Sequence, residues 1–165
     1  MRVLQAGDYS PAQLEGALGN VFGVDTQLIA DRTYYVIDDT SQPERRIVAC
    51  GGWSKRRTLF GSDLALERSD SLLNPSVDPA KIRAFFIHPD WARMGLGTEL
   101  LSACESAARK AGFDHFELGA TLTGERLFSA RGYRAGEKML VPLPNGATLP
   151  IIRMTKSSSP SAMVL

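Results

Sequence analysis

Residues 82–112 place the tightest constraint on what this chain can fold into. The run 82–87 is rich in Phe and Ile and predicts a strand that is buried on both faces. Residues 98–111 carry apolar side chains at helical spacing, and Gly112 is well placed to end that helix. Residues 114–120 predict a further strand. Strand, glycine loop, helix and strand in this order form a crossover unit, which is right-handed and has parallel strands.

The remaining elements are predicted from capping, alternation and turn residues. Ser10, Pro11 and Gln13 have the spacing of a helix start with a capping box. Further strands are predicted over residues 1–4, 33–37 and 46–53, a short helix over 123–131, and a closing hairpin over 133–141 and 147–154. The polar segment 61–79 is expected to be a long connection with room for a short helical piece.

Together these elements predict a single α/β domain. Its mixed central sheet should have about six to seven strands and helices on both faces. We expect the domain to occupy residues 1–156, and the serine-rich tail, residues 157–165, to be disordered. A ligand of such a sheet belongs at the carboxyl ends of the central parallel strands.

Composition and charge argue against several classes of function. The chain has 19 Lys and Arg against 18 Asp and Glu, a net charge of +1, which gives no reason to expect nucleic acid or an anionic membrane as a partner. No apolar run approaches the roughly 18 residues of a membrane span, and residues 1–5 lack the layout of a signal peptide. Cys50 and Cys104 lie in apolar patterns, so we expect buried thiols, no metal site and a cytoplasmic protein.

The loop between the central strand and helix is suited to binding an anion. The first amides of a helix have no partner inside it, and the helix dipole adds partial positive charge there. Gly95 and Gly97 let the backbone approach a ligand closely, and Arg93 can add a full charge. A tight turn without a ligand explains the same two glycines equally well. The loop is not a P-loop, because no Gly-Lys-Ser/Thr follows, and Leu100 stands where a dinucleotide fingerprint needs glycine.

The same loop resembles the acyl-CoA loop of the GNAT acetyltransferase superfamily. That family's pattern is Gln/Arg-x-x-Gly-x-Gly/Ala after a strand that ends in a tripeptide similar to Val-His-Pro. Residues 87–98 match the strand end and both glycines, while Ala92 replaces the usual Gln or Arg. Weaker matches flank the loop at 49–54, 117–121 and 127–133, so that the resemblance covers residues 46–155. It implies a sheet whose two central parallel strands splay apart.

The resemblance further implies acetyl-CoA as a co-substrate. The diphosphate would lie on the backbone amides of the loop: Arg93, Met94, Gly95, Leu96, Gly97 and Thr98. The pantetheine arm would lie along the strand end at Phe86 and Ile87, in the slot that the splayed strands create. The N–H group of Ile87 is the candidate to hold the oxyanion of the reaction.

Three residues near this site bear on catalysis. An amine must be neutral to attack a thioester, so a base or a water chain leading to one is needed. The resemblance makes Glu117 the candidate base, although a Glu that is solvated or holds a loop is a competing interpretation. Phe128 stands where many family members carry a Tyr that protonates the leaving thiolate, and Phe has no proton to give. His88 titrates in the useful range, but in the family this position more often shapes the strand end.

We therefore predict an N-acetyltransferase that moves an acetyl group from acetyl-CoA to the primary amine of an unidentified small molecule. A homodimer is a further expectation of the resemblance. The rivals are a non-catalytic acyl-CoA-binding sensor or regulatory module, a nucleotide-binding α/β domain, and a relative that uses a longer acyl group.

Side chains outside the loop are weaker candidates for binding. Trp53 and Phe60 are candidates to line the acceptor pocket, and the basic run 55–57 is a candidate to contact the 3′-phosphate of CoA. Asp63 and Glu67 could attract a cationic amine. Core packing explains Trp53 as well, and solvated loops explain the charged residues as well.

Overall fold

The central sheet of the computed structural model, which describes residues 1–41 and 43–158, is mixed. Within the described residues it has six strands: β1 (Tyr34–Asp39), β2 (Arg46–Ser54), β3 (Ala80–Ile87), β4 (His115–Thr121), β5 (Arg134–Pro142) and β6 (Thr148–Ser157). The same residues form four α-helices: α1 (Pro11–Ala17), α2 (Thr26–Ala30), α3 (Leu96–Lys110) and α4 (Glu125–Ala130). This confirms the predicted α/β fold and its mixed sheet.

The strands lie in the order β1-β2-β3-β4-β6-β5. Only the β3–β4 pair is parallel among the described strands, and α3 forms the crossover between them. The predicted crossover unit is therefore present, and it occupies the middle of the sheet. The carboxyl ends of β3 and β4 consequently lie at the same edge of the sheet, and the amino terminus of α3 lies there too.

β3 and β4 pair over only two positions before they separate. The pairs are Ala80 with Phe116 and Lys81 with Glu117, both at the amino ends of the strands. Just beyond them, Ala84 has a φ of 55°, and the register of β3 on β2 shifts between Cys50 and Gly52. An extra residue in one strand bends that strand and increases its local twist. We infer that this bulge turns β3 away from β4 and opens the slot between them.

Apolar side chains pack on both faces of the sheet. On one face, α3 buries Leu101, Cys104 and Ala108 against Phe116 and Met154. On the other face, α1 and the residues around it form a second core: Tyr9, Leu14, Ala17, Phe22, Leu143, Leu149 and Ile151. Even-numbered residues of β4 enter the first core, so the odd-numbered ones, including Glu117 and Gly119, face the second because side chains alternate along a strand.

One prediction about the first half of the chain is wrong, and one helix there was not predicted. Residues 2–8 form turns instead of a strand, because their backbone bonds are local, such as Gln5 N–H to Met1 O at 3.1 Å. The connection 61–79 contains turns but no helix among its residues. The short helix α2 was not predicted from the sequence. Its N-cap residue, Asp25, makes no side-chain cap hydrogen bond and instead forms ion pairs with two arginines.

Other boundaries shift by a few residues. α1 begins after Ser10 with both capping-box hydrogen bonds, as predicted. α3 begins at Leu96, two residues before the predicted start, because Gly95 is the residue that caps it. β6 extends to Ser157, which pairs with His115, and the rest of the predicted disordered tail, apart from Ser158, lies outside the described residues. None of the described helices is long and apolar enough to cross a membrane.

Candidate active site

A cavity of about 760 Å³ occupies the slot between β3 and β4. One end of the cavity opens at the amino terminus of α3, where Arg93, Gly95 and Gly97 line it. The other end lies on the second-core face, where Gln5, Phe60 and other residues line it. The cavity therefore runs through the sheet and connects the glycine loop with the face that carries α1.

The backbone between β3 and α3 is tightly folded. Residues Pro89–Trp91 form one turn of 3-10 helix, and His88 caps it. Arg93 and Gly95 then have left-handed φ angles of 64° and 84°. Two left-handed residues within three positions reverse the chain so that α3 starts at Leu96 with its amino terminus towards the cavity.

The amides of this loop have no protein partner. Within the part of the chain that the structure describes, no carbonyl or side chain accepts a hydrogen bond from the N–H groups of residues 93–98. The neighbouring amides do have partners: Ala92 donates to Pro89 O at 3.2 Å and Glu99 to Gly95 O at 3.1 Å. Free amides combined with the helix dipole make this end of the cavity an anion-binding site.

The two glycines of the loop serve different needs. A Cβ on Gly95 would have no heavy atom within 4 Å, so this position faces open space. A Cβ on Gly97 would lie 2.8 Å from Leu127 Cδ2, so this glycine lets α3 pack closely on α4. Gly95 therefore keeps the ligand side of the loop clear, while Gly97 fixes the position of the helix end behind it.

The predicted loop residues lie together, with one exception. Arg93, Gly95, Leu96, Gly97 and Thr98 line the cavity, as do Phe86 and Ile87 of β3. Met94 does not line the cavity, and its side chain is 61% exposed.

Arg126 also lines the cavity, next to Thr123 and Gly124 at the start of α4. This cation is not predictable from the sequence, since nothing in its local pattern distinguishes it from a solvated helix residue. With Arg93 it gives the loop end of the cavity two positive side chains. Such charges strengthen an anion site formed by backbone amides.

The free edge of β3 presents backbone groups to the cavity. His88 donates its N–H to Val48 O at 2.8 Å, so the amides of His88 and Phe86 point towards β2. Because successive amides of a strand point in opposite directions, those of Phe85 and Ile87 point towards the slot. Beyond Lys81 no β4 partner meets them. Phe86 therefore contributes its side chain to the cavity and not its amide.

Aromatic rings close the α3 side of the slot. Phe128 is 7% exposed and meets Phe85 and Tyr133 edge to face, with ring centroids 5.9 Å and 5.7 Å apart. Tyr133 donates to Glu105 at 3.0 Å and does not line the cavity. Burial raises the pKa of the Tyr133 phenol, with the charge of Glu105 as the next cause. The Tyr133 hydroxyl is thus part of the core.

Glu117 lies at the foot of the slot and does not line the cavity. Its carboxylate is buried and forms ion pairs with Lys81 on β3 and Arg153 on β6. Both oxygens are engaged, one by each cation. The group therefore holds three strands together at the point where β3 and β4 separate.

The far end of the cavity is mostly apolar. Phe60 lies over Gly119, where an added Cβ would be 3.3 Å from its Cδ1 atom, so Phe60 lines the pocket as predicted. Trp53 is in the core against Phe113 and does not line the cavity. Arg83 is the only charged side chain among the described residues at this end. Burial lowers its pKa to about 10, while Asp25 opposes the shift, so Arg83 remains charged at neutral pH.

The weaker candidates lie away from the cavity. Arg56 binds Asp31 at 2.7 Å, so this member of the basic run anchors the β2–β3 connection to the end of α2. Asp63 accepts the N–H of Thr26 at 3.0 Å. His88 Nε2 lies 2.8 Å from Arg46 Nη2 and its Nδ1 lies 3.3 Å from Asp90 N; since an imidazole has at most one acceptor nitrogen, only one of these two donors is accepted at a time. These contacts are structural, and neither Asp63 nor Glu67 lines the cavity.

The sequence matches the model of the acetyltransferase (GNAT) family over residues 16–134. This range contains the glycine loop, α3 and both strands of the slot. A search of the curated proteins finds no match by sequence.

Solved structures of the same fold are similar over most of the chain. A GCN5-related N-acetyltransferase from Rhodopseudomonas palustris is 24% identical with a TM-score of 0.64, covering 94% of this chain and 81% of its own. The ribosomal-protein-S18-alanine N-acetyltransferase of Escherichia coli is 16% identical with a TM-score of 0.55, covering 94% and 91%. YncA of Salmonella typhimurium, solved with its cofactor acetyl-CoA, is 18% identical with a TM-score of 0.52, covering 71% and 61%.

Proposed function

The chain belongs to the GNAT acetyltransferase family, and on that premise we propose that it transfers an acetyl group from acetyl-CoA to the primary amine of a small molecule by direct attack. The observation that carries the proposal is the row of free amides at residues 93–98, which lies at the mouth of a cavity between two splayed strands. An anion site that continues into a narrow apolar slot suits a ligand with a charged head and a long arm.

The diphosphate of acetyl-CoA would bind the amides of residues 93–98, with Arg93 and Arg126 adding charge. The pantetheine arm would extend β3 in the slot, because the amides of Phe85 and Ile87 face it without a β4 partner. The side chain of Phe86 would form part of the wall. This arrangement delivers the thioester to the middle of the sheet, where the second half of the cavity begins.

In the reaction, the amine nitrogen bonds to the thioester carbon, the carbon–sulfur bond breaks, and CoA leaves as a thiolate. The N–H of Ile87, as the sequence predicts, or that of Phe85 would stabilise the oxyanion. Phe128 cannot protonate the thiolate, and Tyr133 is engaged by Glu105. We infer that water reaching the slot from the loop end protonates the leaving group.

Removal of the amine proton is the second requirement of this chemistry. Among the described residues, no aspartate, glutamate or histidine lines the cavity. We infer that the amine enters the reaction neutral, with its proton lost to water. The predicted base role of Glu117 is the alternative, and it would require a water chain to a carboxylate that two cations already hold.

A second function deserves its own test because Phe128 replaces a proton donor and no side-chain base lines the described part of the cavity. These features favour a non-catalytic acyl-CoA-binding sensor or regulatory module.

The cytoplasmic location and the homodimer also remain predictions from the sequence.

Incubation of the protein with acetyl-CoA and a panel of primary amines tests the proposal. Transfer should release free CoA thiol and an equal amount of acetylated amine, detected by mass spectrometry. Binding of acetyl-CoA without either product would instead support the sensor. A protein that binds ATP and not CoA would belong to neither class.

A further inference from the structure

Two buried polar atoms at the far end of the cavity have no hydrogen-bond partner among the described residues: Nε of Arg83 and Oε1 of Gln5. Arg83 is 4% exposed and Gln5 is 7% exposed, and both line the cavity. Buried polar groups are satisfied in the great majority of cases, so two orphans in one pocket need an explanation. One is a donor and the other is an acceptor.

The remaining contacts of Arg83 fix its guanidinium in place. Nη2 donates to Gly61 O at 2.9 Å and forms an ion pair with Asp25. Asp25 is itself shared, because Arg68 binds its other oxygen at 3.1 Å. One carboxylate therefore serves two guanidinium groups, and Nε of Arg83 has no partner among the described residues.

The contacts of Gln5 fix the orientation of its amide. Nε2 lies 3.4 Å from Thr121 Oγ1 and 3.8 Å from Met1 Sδ. A thioether sulfur can only accept, so the nitrogen belongs on that side and Oε1 is the free acceptor. Thr121 Oγ1 also accepts the N–H of Gly124 at 3.0 Å. The hydroxyl that holds the Gln5 amide is therefore fixed to the loop before α4.

The cavity that Arg83 and Gln5 both line also has apolar walls. Phe22, Phe60 and Ile151 line the same end of the cavity. Across the described residues, the charged side chains on the cavity wall are three arginines and no carboxylates. Two of these, Arg93 and Arg126, lie at the loop end, so Arg83 alone sets the charge at the far end.

We propose that the acceptor is a small amine that carries a carboxylate, of the amino-acid class. Arg83 binds its carboxylate, the Gln5 carbonyl accepts a hydrogen bond from its amine, and the apolar wall holds its side chain. This assignment rests on the proposed acetyl transfer and specifies the substrate of that same site. An amine without a carboxylate would leave the Arg83 donor unpaired, and a diamine would bring a second cation to a pocket without an anion.

The same charge assists the chemistry. The carboxylate of an amino acid stabilises the neighbouring ammonium, and Arg83 offsets that effect by pairing with the carboxylate, so the bound amine loses its proton more readily than it would without Arg83. This effect offsets the absence of a side-chain base on the described cavity wall.

Calorimetric titration of the CoA-loaded protein with matched pairs of ligands tests the proposal. The pairs are 2-amino acids with alanine, leucine and phenylalanine side chains and the three amines that lack only the carboxylate. The best amino acid should bind at least tenfold more tightly than its decarboxylated partner, and a diamine should bind more weakly than either. Equal affinities within every pair, or a preference for the diamine, would overturn the proposal.

Arg83→Gln should reduce the affinity ratio of the best pair to near one. Arg56→Gln is the matched control, because it removes a guanidinium that pairs with an aspartate at the other end of α2 and does not line the cavity. Arg56→Gln should therefore keep the ratio. If Arg83→Gln does not fold, Gln5→Leu provides the second variant and should weaken amine-bearing ligands more than the corresponding carboxylic acids. A ratio unchanged in Arg83→Gln, or lost equally in Arg56→Gln, would contradict the assignment.

These binding measurements do not depend on turnover. If the amino acids bind as expected but no acetylated product forms, acetyl transfer fails while the ligand class stands. If acetylation occurs with diamines and not with amino acids, the ligand class fails while acetyl transfer stands.

Discussion

Gly95 offers the sharpest substitution at the scale of single residues. Its φ is 84° and open space surrounds its Cβ position; Gly146, in the turn between β5 and β6, has a φ of 82° and the same open space. A glutamate at either site therefore meets the same backbone strain. Gly95→Glu should raise the KM for acetyl-CoA at least tenfold through bulk and like charge, while Gly146→Glu should leave it unchanged.

The control separates strain from ligand binding. Unfolding midpoints of the two variants should fall by similar amounts, because the left-handed φ penalises both. An unchanged KM in a folded Gly95→Glu protein would count against the anion site.

Single residues also show where sequence reasoning succeeds. The anion site depends on residues that are adjacent in the chain, so Gly95 and Gly97 were identifiable from the sequence alone. Arg83 and Gln5 were missed, because only the fold brings Gln5 near β3. One signal was present: Lys81 and Arg83 are two cations in a strand that is otherwise apolar, and buried cations need partners or a ligand.

At the scale of elements, the ion cluster of Glu117, Lys81 and Arg153 joins three strands at the foot of the slot. Glu117→Gln should lower the free energy of unfolding by about 3 kcal/mol, because it leaves two cations without their carboxylate. We expect kcat to fall less than tenfold, with the acid limb of the pH profile still following the pKa of the acceptor amine. A fall of about 100-fold or more together with loss of that limb would establish Glu117 as the base.

A second cluster joins α3 to β6 and to the end of α4. Glu105 is 5% exposed and binds Lys156 at 2.8 Å, Tyr133 at 3.0 Å and Arg109 at 2.9 Å. Glu105→Gln should lower the free energy of unfolding by about 3 kcal/mol in urea titrations.

Glu99 is the matched control on the same helix, since it is exposed and makes no ion pair among the described residues. Glu99→Gln should change the free energy of unfolding by less than about 0.5 kcal/mol. Equal losses in the two variants would show that the Glu105 cluster does not stabilise α3.

The elements that the sequence predicts well are those whose signals are local. α1 has both halves of its capping box, and the β3–α3–β4 unit follows from apolar periodicity and a glycine loop. Residues 1–4 look like a strand from composition, but the backbone hydrogen bonds of this segment are local, so it folds into turns beside the cavity. Pairing between distant segments decides such cases, and periodicity does not encode it.

At the scale of the whole molecule, buried hydroxyl and thiol groups predict a loss of stability in alkali. Burial raises the pKa of Tyr9 and of Tyr133, and it raises the pKa of Cys104 to about 12. In the unfolded chain these groups lose their protons near pH 10 for Tyr and near pH 8.5 for Cys. The folded state therefore holds more protons than the unfolded state above those values, and its stability falls as pH rises.

Urea titrations between pH 8 and pH 11 measure this effect. Each group that ionises only in the unfolded chain contributes a slope of about 1.4 kcal/mol per pH unit. Tyr133→Phe removes one such group, so its stability should decline less steeply with pH than that of the parent. A parent whose stability is constant up to pH 11 would contradict the burial of these side chains.

The proposed acetyl transfer depends on the free amides at residues 93–98 forming the site for the CoA diphosphate. A crystal structure of the protein with acetyl-CoA tests this most directly. We expect diphosphate oxygens within about 3.2 Å of several of these backbone nitrogens, with the arm in the slot between β3 and β4. A cofactor bound on another surface, or amides that protein carbonyls occupy in that crystal, would contradict it.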